Sequence, residues 1–128
     1  MSMPENIGIV DGKLQPCPDS PNCVSSQTQQ SDKKISPLKY TGDYLVAKDK
    51  LKSVIATVPR MEIVKETDKY LHTKATTFFF RFVDDCEFLI DDVQKIIHVR
   101  SASRVGHSDL GVNRKRVEAI RKKFEEGK

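Results

Sequence analysis

The sequence predicts an α+β fold. It is a two-layer sandwich in which a four- or five-stranded antiparallel meander is flanked by an N-terminal and a C-terminal helix on one face. Three observations predict it. A helical apolar stripe occupies the first third of the regular chain, and a second closes it. Between them lies a run of alternating, β-branched and aromatic segments separated by short turn-forming pairs. Two helices laid on one face of such a sheet make two layers around one core.

Residues 1–39 read as an irregular arm. They hold most of the chain's six prolines with many Ser, Gln, Asn and Asp, and "SSQTQQSDKK" has no apolar period. Residues 40–128 read as a single α+β domain. In "TGDYLVAKDKLKSVIATVPR", Tyr44, Ala47, Leu51, Val54, Ile55 and Val58 recur at three-and-four spacing, which predicts a helix from about Tyr44 to Val58. Asp43 caps its start and Pro59 ends it. "MEIVKET" and "KYLHTKATT" predict strands around a turn at Asp68-Lys69. "FFFRFVDDCEFLIDDVQKIIHVRSAS" continues the sheet, with Asp84-Asp85 and Asp92-Val93-Gln94 as turns. Cys86, Phe88 and Ile90 face the core, and Glu87 and Asp91 face the other way. Phe78, Phe80 and Phe82 alternate and predict a core-facing row; the fifth strand is present if that stretch pairs separately. Leu110, Val117, Ile120 and Phe124 predict the last helix, basic over much of its remaining surface and capped by Ser108 or Asp109.

At 128 residues, 38% hydrophobic and 31% charged, the chain has the composition of one soluble domain. A domain of this size buries roughly two thirds of its unfolded surface and needs no covalent staple. Its longest apolar run is far below the ~20 residues of a membrane span. The start lacks the basic and apolar regions of a secretory signal, so the expected compartment is the cytoplasm. The net charge is +4, and all the excess lies from Arg100 onward, with nine Lys/Arg against four Asp/Glu. Such a patch attracts anions.

The segment "HVRSASRVGHSDLGVNRKRVEAI" concentrates chemistry at the handover from the last strand to the last helix. Arg100, Arg104 and Arg114 offer planar forks that match carboxylate or phosphate oxygens. Ser101, Ser103 and Ser108 add hydroxyl donors, Gly106 lets a bound group approach the backbone, and Asn113 sits at the helix start, where amides lack internal partners. The leading expectation is therefore an anion-binding corner, Arg100 to Arg114, that receives an anionic group from a metabolite, a lipid headgroup or a partner protein. Asp109 and Gly111 read as its structural network. A purely structural corner is the competing reading, with function in contacts to another protein. "GHSDLG" does not have the spacing of a dinucleotide loop, no cofactor is expected, and nucleic-acid binding is not expected because no recognition signature accompanies the charge.

Cys17 and Cys23 bracket "PDSPN", too far apart for a common zinc knuckle and without a neighbouring histidine, so no metal is expected. They form a redox pair, expected as two thiols that oxidise on exposure. Cys86 reads as a small core residue. An enzyme alternative, a thiol- or serine-dependent hydrolase or redox catalyst, uses Cys23, with His98 or His107 as base, or Ser103.

"PCPDSPNCVSS", "DDCEFLID" and "IHVRSASRVGHSDLGVNRKRVE" together resemble domain of unknown function family 1499 (DUF 1499), from about Cys17 to Phe124. The resemblance implies kinship of fold and assigns no activity. It matches Cys17, Cys23, Arg100, Ser101, Ser103, Arg104, Gly106, Asp109, Gly111, Asn113 and Arg114. Many relatives carry an exported or anchored start that this chain lacks, and where they place an aliphatic residue this chain has Cys86.

Overall fold

A computed structural model describes residues 4, 6–78, 81–105 and 111–126. Its strands are β1 (Ile9–Val10), β2 (Lys13–Leu14), β3 (Cys23–Ser25), β4 (Leu38–Lys39), β5 (Met61–Glu66), β6 (Tyr70–Thr76), β7 (Val83–Asp91) and β8 (Ile96–Ser103). Helix α1 (Tyr44–Ala56) lies between β4 and β5, and α2 (Val112–Glu126) follows β8. Strands β5 to β8 form the antiparallel meander that the alternation predicts. The free edge of β8 takes two short strands from the first 39 residues. β3 pairs with its C-terminal half and β4 with its N-terminal half, both antiparallel. β1 and β2 make a separate hairpin within the arm.

The core lies between the sheet and the two helices. Ala47, Leu51, Val54 and Ile55 of α1 and Val117, Ile120 and Phe124 of α2 pack onto Leu71, Cys86, Phe88, Ile90, Ile97 and Val99 of the strands. Asp43 caps α1 by accepting the Leu45 amide at 2.7 Å, and the helix closes at Thr57, just ahead of Pro59. Cys86 is fully buried in this layer, which pushes its thiol up to about 11.

Three sequence expectations are corrected. Asp84 and Asp85 do not turn the chain; they lie inside β7, paired with Ser103 and Ala102 across the ladder. A buried aspartate is tolerated in a strand when a cation meets it, and here each finds an arginine on its own side of the sheet. Phe78 and Phe82 are not core residues: both are exposed in the β6–β7 connection, and the Phe78 ring packs under Arg60 at 5.2 Å. Phe80 lies outside the described residues. The third concerns "SSQTQQSDKK", which packs although it has no apolar period. Ser26, Thr28 and Lys33 are buried, because this segment follows β3 along the sheet edge and its polar groups are hydrogen-bonded there.

Replacing Phe88 with Ala should lower unfolding free energy by about 3–5 kcal/mol. Val93→Ala, at a turn residue 94% exposed, should change it by less than about 0.5 kcal/mol. Urea denaturation midpoints at constant slope check both.

Candidate functional site

Strand alternation decides the geometry of the arginine–serine segment. β8 does not stop at the serines; it runs through Ser103, so successive side chains leave opposite faces of the sheet. Ser101 and Ser103 point to the helices, whereas Arg100, Ala102 and Arg104 point to the face covered by the arm. The predicted corner is thereby divided in two.

On the helix side the hub is Asn113, which heads the buried α2 stripe of Asn113, Val117, Ile120 and Phe124. Its Oδ1 accepts from Ser101 Oγ at 2.5 Å, and its Nδ2 donates to Ser103 Oγ at 3.1 Å and to the Asn22 carbonyl at 3.2 Å. Arg116 adds Nη1 to Asn113 Oδ1 at 2.8 Å and Nη2 to Asp84 Oδ2 at 2.7 Å. These bonds fix the start of α2 on β8 and β3. Gly111, at φ +79°, supplies the left-handed residue just ahead of the helix.

On the arm side two ionic clusters lie next to each other. In the first, Glu87 and Arg100 stand directly opposite across the β7–β8 ladder and are essentially inaccessible. Glu87 Oε2 accepts from the Tyr70 hydroxyl and, at 2.8 Å, from the Gly8 amide of the arm. Arg100 Nη1 meets Glu87 Oε1 at 3.4 Å, and Nη2 meets the Pro16 carbonyl at 3.4 Å. Burial raises the Tyr70 hydroxyl far above its ordinary value, and the adjacent Glu87 raises it further. Burial likewise lowers Arg100, and Glu87 only partly offsets that. In the second cluster, Asp85 takes Arg104 in a bidentate contact, Nε at 2.8 Å and Nη2 at 3.0 Å, and His72 Nε2 at 2.7 Å. Burial works to raise the Asp85 carboxyl, yet the hydrogen bonds from His72 and Arg104 outweigh it and hold the group below the usual range.

Between these clusters and the arm is a cavity of about 160 Å³, walled by Ile7, Pro18 and Asn22 on the arm side and by Asp85, Arg100 and Arg104 on the sheet side. A disulfide between Cys17 and Cys23 closes the loop that carries Pro18 and Asn22, replacing the expected pair of thiols. Both half-cystines are buried against Ala102. Asn22 ties this loop to the end of β8, donating to the carbonyls of Ser103 and Val105. Arg100 Nε–H is buried and has no acceptor among the described residues.

Of the predicted site residues, the structure therefore brings Arg100, Arg104 and the Cys17–Cys23 loop to one cavity. It does not bring Arg114 there: that guanidinium donates to the carbonyls of Asp32 and Lys34, at 3.1 Å each. Ser101, Ser103 and Asn113 are engaged in docking α2. Gly106, Ser108 and Asp109 lie outside the described residues, as does His107. Of the enzyme alternative's nucleophiles, Cys23 is in the disulfide and Ser103 Oγ accepts from Asn113 Nδ2. His98 is hydrogen-bonded to Ser26 Oγ at 3.0 Å, and burial lowers its pKa. Among the described residues, no group of His, Cys, Asp and Glu is arranged to hold a metal ion. No helix among them is long and apolar enough to cross a membrane.

Sequence reasoning missed Tyr70, His72, Asp84, Asp85, Glu87, Asn22 and Arg116. One signal was available: Glu87 and Arg100 fall on the same non-core parity of neighbouring strands, so the meander register makes them a cross-strand pair.

The family described as "Protein of unknown function (DUF1499)" matches residues 13–124. No functionally curated protein matches the chain.

Two measurements test this site. A thiol reagent should find no reactive cysteine in the native protein and one, Cys86, after denaturation without reductant; replacing Cys17 and Cys23 by Ser should cost about 2 kcal/mol for a loop this short. The pH profile should fall in two steps on acidification. His98 and Asp85 both have lowered folded values, so the unfolded chain binds protons first. Stability is held above about pH 6.5, drops as His98 protonates in the unfolded chain, and drops again below about pH 4 as Asp85 does, joined by Glu66 and Asp92. Urea midpoints for the wild type and His98→Gln should differ only in the upper step.

Proposed function

Because the chain belongs to the DUF1499 family, whose description assigns no activity, its function has to be read from the site, and we propose that it is a non-catalytic binding domain. The anionic end of a small molecule enters the cavity between the arm and Arg100 and Arg104. One observation carries this reading: a buried guanidinium lines a cavity while its Nε–H lacks an acceptor. A buried charged donor left unsatisfied is costly, and the cluster that carries it borders the cavity together with Arg104. The two other contacts of Arg100, at 3.4 Å, are long and leave it under-coordinated. The arm provides a ready lid, and the Cys17–Cys23 bond supports a working environment that is oxidising rather than cytosolic.

A second reading is favoured by the pairing of Arg100, Arg104 and Arg116 with Glu87, Asp85 and Asp84. Under it the clusters only lock arm, sheet and helix together, and function lies in contacts with another protein.

Thermal melts at fixed ionic strength in acetate, phosphate, sulfate and chloride separate the two. An anion at ten times its Kd stabilises by about 1.4 kcal/mol, which raises Tm by a few degrees for a chain of this length. The binding reading expects such a rise for at least one oxyanion and its loss in Arg104→Ala. A lower Tm in Arg104→Ala with no oxyanion effect on either protein establishes the lock and removes the binding site.

A further inference from the structure

The connection between β6 and β7 takes no part in the cavity. We infer that its tip, Phe78 and Phe82 together with Arg81 and the neighbouring Arg60, docks on a lipid bilayer that carries anionic headgroups. This contact is independent of the cavity and of any ligand there.

Exposure marks the tip. Phe88 and Phe124 are 1% exposed, whereas Phe78 is 60% exposed and Phe82 39%. Among the described residues these two are the aromatic members of the exposed large hydrophobic side chains. Phe79 and Phe80 lie outside the described residues. The tip continues past the last rungs that β6 and β7 share with their outer neighbours. On one side the Thr76 amide meets the Arg60 carbonyl ahead of β5, and on the other the Arg104 amide meets the Val83 carbonyl. Thr77, Phe78, Arg81 and Phe82 lie beyond both.

Turn chemistry sets the tip apart from an ordinary hairpin. The Thr77 amide donates to the Phe82 carbonyl and the Phe82 amide to Thr77 Oγ1, both at 2.9 Å. A connection this short draws on Gly, Asn, Asp or Pro, and residues 77–82 contain none. Arg81 takes the left-handed position instead, at φ +56°, a conformation that favours Asn or Gly. Apolar rings and a guanidinium thus stand where the backbone asks for a turn former. Such a conflict between local preference and sequence is expected where a surface serves recognition.

Charge selects the partner. Among the described residues neither Arg60 nor Arg81 forms an ion pair. Arg60 Nε donates to the Thr76 carbonyl at 3.1 Å, and its guanidinium lies over the Phe78 ring at 5.2 Å. The acidic side chains nearest along these strands are already met: Glu62 by Lys74, Asp84 by Arg116, and Asp85 by Arg104 and His72. The tip therefore offers rings and positive charge together. That pairing fits the boundary of an anionic bilayer, where apolar groups enter by about 5–10 Å and cations stay with the headgroups. A second copy of the chain fits poorly, because a two-fold contact sets Arg60 and Arg81 against their own equivalents. A nucleic-acid base stacks on an open ring face, and one face of Phe78 already carries Arg60.

The chain contains no tryptophan, so Phe78→Trp places a sole fluorescent reporter at the tip. Val93→Trp places one in the turn at the opposite end of β7, where the side chain is 94% exposed. Each full-length variant is titrated with vesicles of phosphatidylcholine alone and of phosphatidylcholine with phosphatidylserine. With the mixed vesicles only, Phe78→Trp emission should move saturably to shorter wavelength and be quenched by bromine-labelled acyl chains. Val93→Trp should show neither effect. Adding Arg81→Asn to the tip reporter should leave Tm unchanged or higher, since asparagine accepts the bend. It should still weaken vesicle binding about fivefold, the effect of one cation lost at an anionic surface. Phe82→Trp replaces Phe78→Trp if the latter unfolds. No shift with mixed vesicles in a folded tip reporter overturns the proposal. So does an equal response from Val93→Trp, or equal binding to phosphatidylcholine alone. A shift on adding an oligonucleotide or an acidic peptide, with none on vesicles, gives the tip another class of partner and overturns it as well.

Discussion

The buried pair of Glu87 and Arg100 is the constraint on which the rest of the molecule depends. Both residues sit in the central strands on the face away from the helices, and both are withdrawn from water. Two charges in such a place are tolerated only if they meet each other and if their remaining donors and acceptors are met as well. The arm does this by contributing the Gly8 amide to the carboxylate and the Pro16 carbonyl to the guanidinium. The arm stays because the pair is there, and the pair is tolerable because the arm covers it. At this face Cys17, Cys23 and Ala102 form a small apolar cluster separate from the main core.

The other face works in the opposite proportion. There an apolar layer supplies adhesion, since burial of large aliphatic and aromatic side chains is favourable and undirected. What it does not supply is register, because an apolar stripe can slide along an apolar sheet. The Ser101, Asn113, Arg116 and Asp84 group pins the start of α2 at one position on β8, through bonds that hold at one rotation and one height only. The Asn22 carbonyl joins this group from β3's side, so the docking of the helix and the position of the arm loop are set by the same asparagine. Asp84 keeps one oxygen without a partner among the described residues, a local cost of concentrating so many polar groups.

The site was only partly legible in advance. Arg100 and Arg104 stood out as fixed charges, and they do share a cavity wall with the loop between Cys17 and Cys23. The serines between them looked like part of the same constellation, but "RSASR" in a strand is a period-two pattern, and period two separates neighbours onto opposite faces. Arg114 was grouped with them by proximity in sequence and lies instead against the carbonyls of Asp32 and Lys34. The acidic partners were invisible for a related reason. Charged residues on the non-core parity of a strand ordinarily face water, and nothing local marks a strand that will be covered on its second side.

What the sequence by itself determined is the part governed by local periodicity: α1 and its Asp43 cap, the four-stranded meander, the core parity of Cys86, Phe88 and Ile90, and the apolar stripe of α2. These follow from the alternation of apolar and polar residues at the periods of helix and strand. Only the tertiary structure decided that the arm closes over the second face, that Asp84 and Asp85 stay in the strand, and that Glu87 is buried. Each of those depends on a partner distant along the chain, Gly8 for Glu87 and Arg116 for Asp84. No local pattern encodes such a meeting, because the charge is tolerated in the interior only once the partner has arrived.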